Sequence, residues 1–309
     1  MSRALAGAAV PSALDALLTE QVNPESKGID AHPTSEILQI INHEDQKVAT
    51  AVAAEIPRIA EAVDRIVASL QAGGRLFYIG AGTSGRLGVL DAAECPPTFH
   101  VPPDLVQGIV AGGEPALARA TEVSEDDPVA GRRDLLARGF VFSKDVLVAI
   151  AASGRTPYVL GAVAAARENG ALTVGISCTP DSELARLAAI AITPLVGPEV
   201  IAGSTRMKAG TATKLVLNMI STAVMIRLGH VYGNLMVNVQ PRNSKLAYRA
   251  RRIVAEAAAV SPDRAGELLL AAGGDAKVAI VMARLAVDRA TAEARLASAG
   301  GRISEALKT

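Results

Sequence analysis

The chain has 309 residues, half of them hydrophobic, with 31 Lys plus Arg set against 31 Asp plus Glu. Such a hydrophobic share excludes a disordered chain, and the balanced charge leaves no electrostatic footprint for nucleic acid or an anionic membrane. Aromatic residues make up only 3% and Trp is absent, so Ala, Val, Leu and Ile must build the core.

From the N-terminus, Met1 to Leu18 carries Arg3 and a short apolar run interrupted by Pro11 and Asp15. No cleavage pattern follows, so the segment reads as a frayed or helical end rather than a secretion signal, and the expected location is cytoplasmic. After Thr34-Ser35-Glu36, the residues Ile37, Ile40, Ile41, Val48, Val52 and Ile56 recur at near-helical spacing. A second helix is predicted over 58–72, stopped by Gly73-Gly74. Five short apolar runs follow, at 75–79, 105–110, 145–150, 172–176 and 190–193. Helical stretches separate most of them, at 88–93, 114–120 with 134–138, 156–168 and 182–188. This alternation predicts an α/β fold with a doubly wound five-stranded parallel sheet. In such sheets ligands sit at the carboxyl ends of the strands.

Beyond Gly203 the pattern is helical, at 208–227 and 243–258, and then in a small three-helix unit to the end. The apolar stretch 215–226 is too short for a bilayer, which needs roughly 20 residues. The expected organisation is an N-terminal helical segment (1–57), a sheet domain (58–242) and a C-terminal helical subdomain (243–309). Cys95 and Cys178 are expected to be reduced, buried thiols rather than a disulfide. His32, His43, His100 and His230 show no metal-ligand spacing.

Two of the loops that follow strands carry hydroxyls. The first, Gly80-Ala81-Gly82-Thr83-Ser84-Gly85-Arg86, is formally the G-x-G-x-x-G dinucleotide fingerprint. However, no acidic residue is cleanly placed about 20 residues on, and the hydroxyls of Thr83 and Ser84 suit a terminal phosphate. The second, Ala152-Ser153-Gly154-Arg155-Thr156-Pro157, offers Ser153 and Thr156, backbone approach at Gly154, and the start of a helix. Either loop alone is an ordinary helix start; together at one sheet edge they point to a phosphate monoester. Further along, Ser204, Arg206 and Lys208 could hold the phosphate or a carboxylate, since Arg binds such anions in a bidentate manner.

Gly82-Thr83-Ser84 with Ser153-Gly154-x-Thr156 resembles the SIS domain, a family of phosphosugar-binding doubly wound folds. The longer runs resemble N-acetylmuramic acid 6-phosphate etherases over roughly residues 30–250. They are Gly80 to Arg86, Asp91 to Thr98, Ile109 to Glu114, Ala151 to Tyr158, Arg206 to Thr211, Lys214 to Met219 and Gly233 to Met236. That resemblance implies elimination of lactate from carbon 3 of a ring-opened sugar phosphate, followed by addition of water. It implies no metal or organic cofactor, because the substrate's own carbonyl is the electron sink. It assigns Glu94 as the acid that protonates departing lactate and Glu125 as the base at carbon 2. Glu94 is expected between a helix end and Pro96-Pro97, partly buried, with a raised pKa. From the residues alone Glu125 could not be chosen over Glu122 or Glu114. Ala93, where the family commonly has Ser, and Phe99-His100 depart from the family pattern beside Glu94. The expected partners are a small phosphosugar and, on analogy with SIS domains, a second copy of the chain. The competing readings are a non-catalytic phosphosugar sensor related to glucokinase regulatory proteins, and a SIS-type sugar-phosphate isomerase.

Overall fold

The computed structural model describes residues 17–119, 125–239 and 244–308. The expected features at 1–16, Ala120, Glu122, Ser124, 240–243 and Thr309 lie outside the described residues. Two 3-10 turns, Pro24–Ser26 and Ile29–Ala31, precede α1 (Thr34–Ala54) and α2 (Ile56–Gln71). The sheet domain then runs β1 (Leu76–Gly80), α3 (Gly82–Phe99), β2 (Val106–Val110), α4 (Pro115–Ala118), α5 (Pro128–Ala137), β3 (Val146–Ile150), α6 (Pro157–Glu168), β4 (Leu172–Ile176), α7 (Glu183–Leu187) and β5 (Ile190–Ile192). Next come α8 (Lys208–Arg227), a hairpin of β6 (Val231–Tyr232) and β7 (Leu235–Met236), α9 (Ser244–Ala258), α10 (Pro262–Ala271), α11 (Ala276–Leu285), α12 (Arg289–Ser298) and α13 (Ile303–Ala306).

The five long-range strands form one parallel sheet in the order β2-β1-β3-β4-β5. Period-two alternation sends Leu76, Tyr78, Val146, Val148, Val174 and Ile176 to one face, where α1, α2, α3 and α8 cover them. Phe77, Ile79, Leu147 and Ala149 point to the other face, under α5 and α6. Strand order reverses between β2 and β3 around β1, which opens the crevice for a ligand beyond Gly80 and Ile150.

The largest difference from expectation is α3. The predicted helix over 88–93 is one continuous helix from Gly82 to Phe99, with Pro96 and Pro97 inside its last turn. The two missing N–H groups would have bonded the carbonyls of Ala92 and Ala93. Ala93 is exposed, so water can take its carbonyl. The helix ends at His100, whose N–H bonds the Pro96 carbonyl at 2.9 Å in left-handed geometry. The hairpin was also not foreseen; a Gly233-Asn234 loop joins its strands, with Gly233 at φ 59°.

By length and composition α8 could cross a membrane. Val216, Leu217, Ile220, Val224 and Met225 along it are packed in the core shared with the sheet. Cys95 and Cys178 are free and buried, and burial pushes both thiols up to about 12. The C-terminal helices enclose a separate apolar cluster around Val254, Leu268, Val281 and Leu296.

Candidate active site

The first loop is tight for steric reasons. A Cβ on Gly80 would stand 2.7 Å from the Gly85 nitrogen, and one on Gly85 would stand 2.5 Å from the Gly80 carbonyl oxygen. The first and third glycines of the fingerprint therefore close the strand-to-helix turn, whatever ligand it holds. That turn starts α3 with Ala81 as N-cap and no capping side chain. The N–H groups of its first turn and the half-buried hydroxyls of Thr83 and Ser84 are thus presented together.

The second loop is built differently. Gly154 has φ 66°, and any side chain there would collide with Ser182, whose Cβ lies 2.3 Å from the added atom. Thr156 is the N-cap of α6 but makes no side-chain cap hydrogen bond, so its hydroxyl is not spent on the helix. Ser153 Oγ accepts weakly from the Arg155 N–H at 3.4 Å.

Glu125 joins the two loops. Its backbone carbonyl accepts the N–H of Tyr158, in the first turn of α6, at 3.0 Å. Its carboxylate Oε1 lies 3.1 Å from where a Cβ on Gly82 would be. The half-buried base candidate therefore stands over the start of α3, beside both hydroxyl-rich loops. Glu114, the other described acid considered, is exposed and lines a groove of about 1040 Å³ along the edge strand β2.

The start of α8 completes this edge. Gly210 lies against the Thr83 methyl, 3.5 Å from its own virtual Cβ. Ser204 is half-buried, and Arg206 is exposed with no ion pair among the described residues. Lys208 is a correction. It is only 1% exposed and its Nζ is bonded to Glu44 of α1, itself 1% exposed, so it is not presented to a ligand. Glu44 also accepts from Lys47 and from Asn23 Nδ2, the latter at 2.8 Å. Burial alone would push the Glu44 carboxyl up, but the hydrogen bonds from Lys208, Lys47 and Asn23 hold it at about 2. Beside this pair, Glu199 caps α8 by accepting the N–H groups of Lys208 and Ala209, both at 2.9 Å. Burial raises the Glu199 carboxyl despite those two bonds. Sequence reasoning missed both acids. Glu44 had a signal, because it interrupts the apolar stripe of Ile37, Ile41, Val48 and Val52.

Glu94 is the second correction. It is exposed on α3, not partly buried between a helix end and a proline pair. Twelve residues separate it from Gly82, so at about 1.5 Å of rise per residue it stands about 18 Å down the helix. That exceeds the span of a hexose phosphate, so Glu94 and Glu125 of one chain do not meet on one sugar. Glu94 does share a stripe of α3 with Thr83, Leu87 and Leu90, at i, i+4, i+7 and i+11. Leu90 is 52% exposed on that stripe. On the inner face, Asn218 and Ser221 of α8 donate to Asp91 Oδ1 at 2.9 and 3.1 Å, fixing the helix that carries Glu94.

Among the described residues no group of three or more His, Cys, Asp or Glu could hold a metal ion. The edge gathers hydroxyls, helix-start N–H groups, the arginines Arg155 and Arg206, and the Glu125 carboxylate, a set of groups that suits a phosphorylated substrate with a proton to lose.

Known families match this chain. Residues 58–167 match the glucokinase regulatory protein N-terminal SIS domain, and residues 135–223 match the SIS domain. An N-acetylmuramic acid 6-phosphate etherase from Pasteurella multocida is 53% identical over 299 residues, covering 96% of this chain and 99% of the relative. One from Jannaschia sp. is 55% identical over 272 residues, covering 88% and 86%. One from Rhodopirellula baltica is 51% identical over 296 residues, covering 96% and 98%. The chain belongs to the N-acetylmuramic acid 6-phosphate etherase family.

Proposed function

We propose that this protein cleaves the lactyl ether of N-acetylmuramic acid 6-phosphate, giving D-lactate and N-acetylglucosamine 6-phosphate, as a cytoplasmic step in cell-wall sugar recycling. The observation that carries this is the carboxylate of Glu125 standing over Gly82, beside two hydroxyl-rich strand-to-helix loops. Near-full-length identity to etherases favours this reading over a phosphosugar sensor or an isomerase.

In the reading proposed, Thr83, Ser84, Ser153, Thr156 and the helix-start N–H groups bind the 6-phosphate, with Gly154 allowing close approach. Ser204 and Arg206 stand at the same edge to take the phosphate or the lactate carboxylate. The ring-opened substrate has an aldehyde at carbon 1, which acidifies the proton on carbon 2. Glu125 takes that proton, and the electron pair forms the carbon 2–carbon 3 double bond as the carbon 3–oxygen bond breaks. Glu94 gives its proton to the departing lactate oxygen. Water then adds, hydroxyl to carbon 3 and proton to carbon 2, so atoms balance without a redox partner.

Because Glu94 is about three helical turns from the loops, the acid is supplied by a second copy. Pairing α3 antiparallel with its twofold mate, centred between Leu87 and Leu90, sets Thr83 of one chain opposite Glu94 of the other. It also covers the exposed Leu90 and gives Glu94 the burial it lacks in a single chain. This predicts complementation between two dead variants. Glu94→Gln should lose lactate release while keeping carbon 2 exchange, and Glu125→Gln should lose both. Equal mixing makes half the dimers mixed, each with one intact site of two, so lactate release should return to roughly a quarter of wild type. Mixed dimers recovered through two different tags that stay inactive would place Glu94 in its own chain's site and refute the shared arrangement.

A further inference from the structure

We propose that Glu199 is a positioning residue for the loop that presents Ser204 and Arg206, a role that rests on the reading above in which that loop takes the substrate phosphate or the lactate carboxylate. α8 begins without a cap of its own, because Met207 stands at its N-cap and makes no side-chain cap bond. Gly210 donates its N–H back to the Thr205 carbonyl at 3.0 Å, which leaves the N–H groups of Lys208 and Ala209 to be satisfied. Glu199 supplies both acceptors from nine residues before Lys208. Its Oε2 accepts from the Lys208 N–H and its Oε1 from the Ala209 N–H, each at 2.9 Å. Such bonds from a carboxylate to the first N–H groups of a helix are charge-assisted and gain from the positive end of the dipole. Glu199 is only 1% exposed and both its oxygens are engaged, so it acts through the backbone and does not touch substrate.

The consequence for the site follows from chain connectivity. The clamp joins the two ends of 200–207, so the segment that carries Ser204 and Arg206 is a closed loop with little freedom left. Within its first half, the Ser204 N–H donates to the Ile201 carbonyl at 2.9 Å and the Thr205 N–H to the Gly203 carbonyl at 3.0 Å. The same half is fastened from outside, where Ser26 Oγ donates to the Val200 carbonyl at 2.7 Å and the Gly203 N–H donates to the Thr19 carbonyl at 3.1 Å. The second half, with Arg206, runs into α8, and Glu199 ties the start of α8 back to the first half. Gly210, in that same first turn of α8, lies against the Thr83 methyl. Releasing the clamp therefore lets Ser204 and Arg206 shift relative to the α3 loop, while Glu125 keeps its own bond to Tyr158.

The test compares Glu199→Gln with wild type, with the double variant Ser204→Ala and Arg206→Ala, and with the triple variant that adds Glu199→Gln to that pair, all in the full-length protein. Glutamine keeps the length of the side chain but turns an amide NH2 toward one of the two backbone N–H groups, so one of the two bonds is lost. Steady-state lactate release should show KM raised roughly 10-fold in Glu199→Gln, with kcat and carbon 2 exchange at saturating substrate near wild type. In the triple variant KM should rise no further than in the double, because Glu199 acts through the two side chains already removed. KM does not depend on the folded fraction, so a destabilised Glu199→Gln still reports. Glu199→Asp, with both acceptors one methylene short, carries the test if Glu199→Gln yields no folded protein. A lowered kcat at constant KM, wild-type kinetics in Glu199→Gln, or a further rise of KM in the triple variant would each overturn the positioning role. If the double variant keeps the wild-type KM, the loop is not a substrate ligand and that reading fails. If the double variant raises KM and Glu199→Gln does not, only the positioning role fails.

Discussion

Glu125→Gln is expected to lower kcat for lactate release by about 10²–10⁴-fold, the usual worth of a general base. The substitution keeps the shape of the side chain over Gly82 and the backbone bond to Tyr158, and removes the ability to take a proton. Exchange of the carbon 2 proton should fall with it, because both readouts need the same step. KM and the affinity for inorganic phosphate should stay near wild type, since the hydroxyl-rich loops proposed to bind phosphate are untouched. Full exchange in Glu125→Gln would move the base elsewhere, and Glu114 in the groove along β2 would be the next carboxylate to test.

The second large effect concerns stability. Lys208→Met leaves the Glu44 carboxylate buried with, among the described residues, only Lys47 and Asn23 for partners. Breaking a buried pair by removing one partner costs about 3–5 kcal/mol, and the remaining partners argue for the low end, about 3 kcal/mol. The double variant Glu44→Gln with Lys208→Met should recover much of that loss, because no orphaned charge remains. Denaturant unfolding of the two variants checks both statements. If Lys208→Met unfolds like wild type but binds phosphate poorly, Lys208 is a ligand after all. The same network sets an acid limit. The Glu44 carboxyl is lowered from its ordinary 4.5 to about 2, so its contribution is fully present above 4.5 and is lost as pH falls toward 2.

The sheet was legible because its strands announce themselves: short apolar runs ending in glycine or small polar residues, each followed by a helical pattern. The two hydroxyl-rich loops were legible for the same reason, since a strand-to-helix turn rich in hydroxyls has a local signature. What escaped depended on distant chain. Lys208 beside Arg206 looks like a second cation for an anion, and the acid that claims it lies 164 residues away. The prolines after Cys95 read as the end of a helix, yet the end of α3 tolerates them because exposed Ala93 can turn its carbonyl to water. Glu125 could not be told from its acidic neighbours without the family, because its placement comes from the Tyr158 N–H and Gly82 on other elements. The burial expected at Glu94 is missing from the single chain, and the proposed pairing of α3 with a second copy would supply it.

The most direct measurement is D-lactate release from N-acetylmuramic acid 6-phosphate by the purified wild-type protein, with the sugar product identified in the same reaction. Equal amounts of lactate and N-acetylglucosamine 6-phosphate are expected, with a solvent deuteron at carbon 2 when the reaction runs in heavy water. Tight binding of the phosphosugar by folded protein, with no lactate and no exchange at carbon 2, would contradict the proposed activity and leave a phosphosugar sensor in its place.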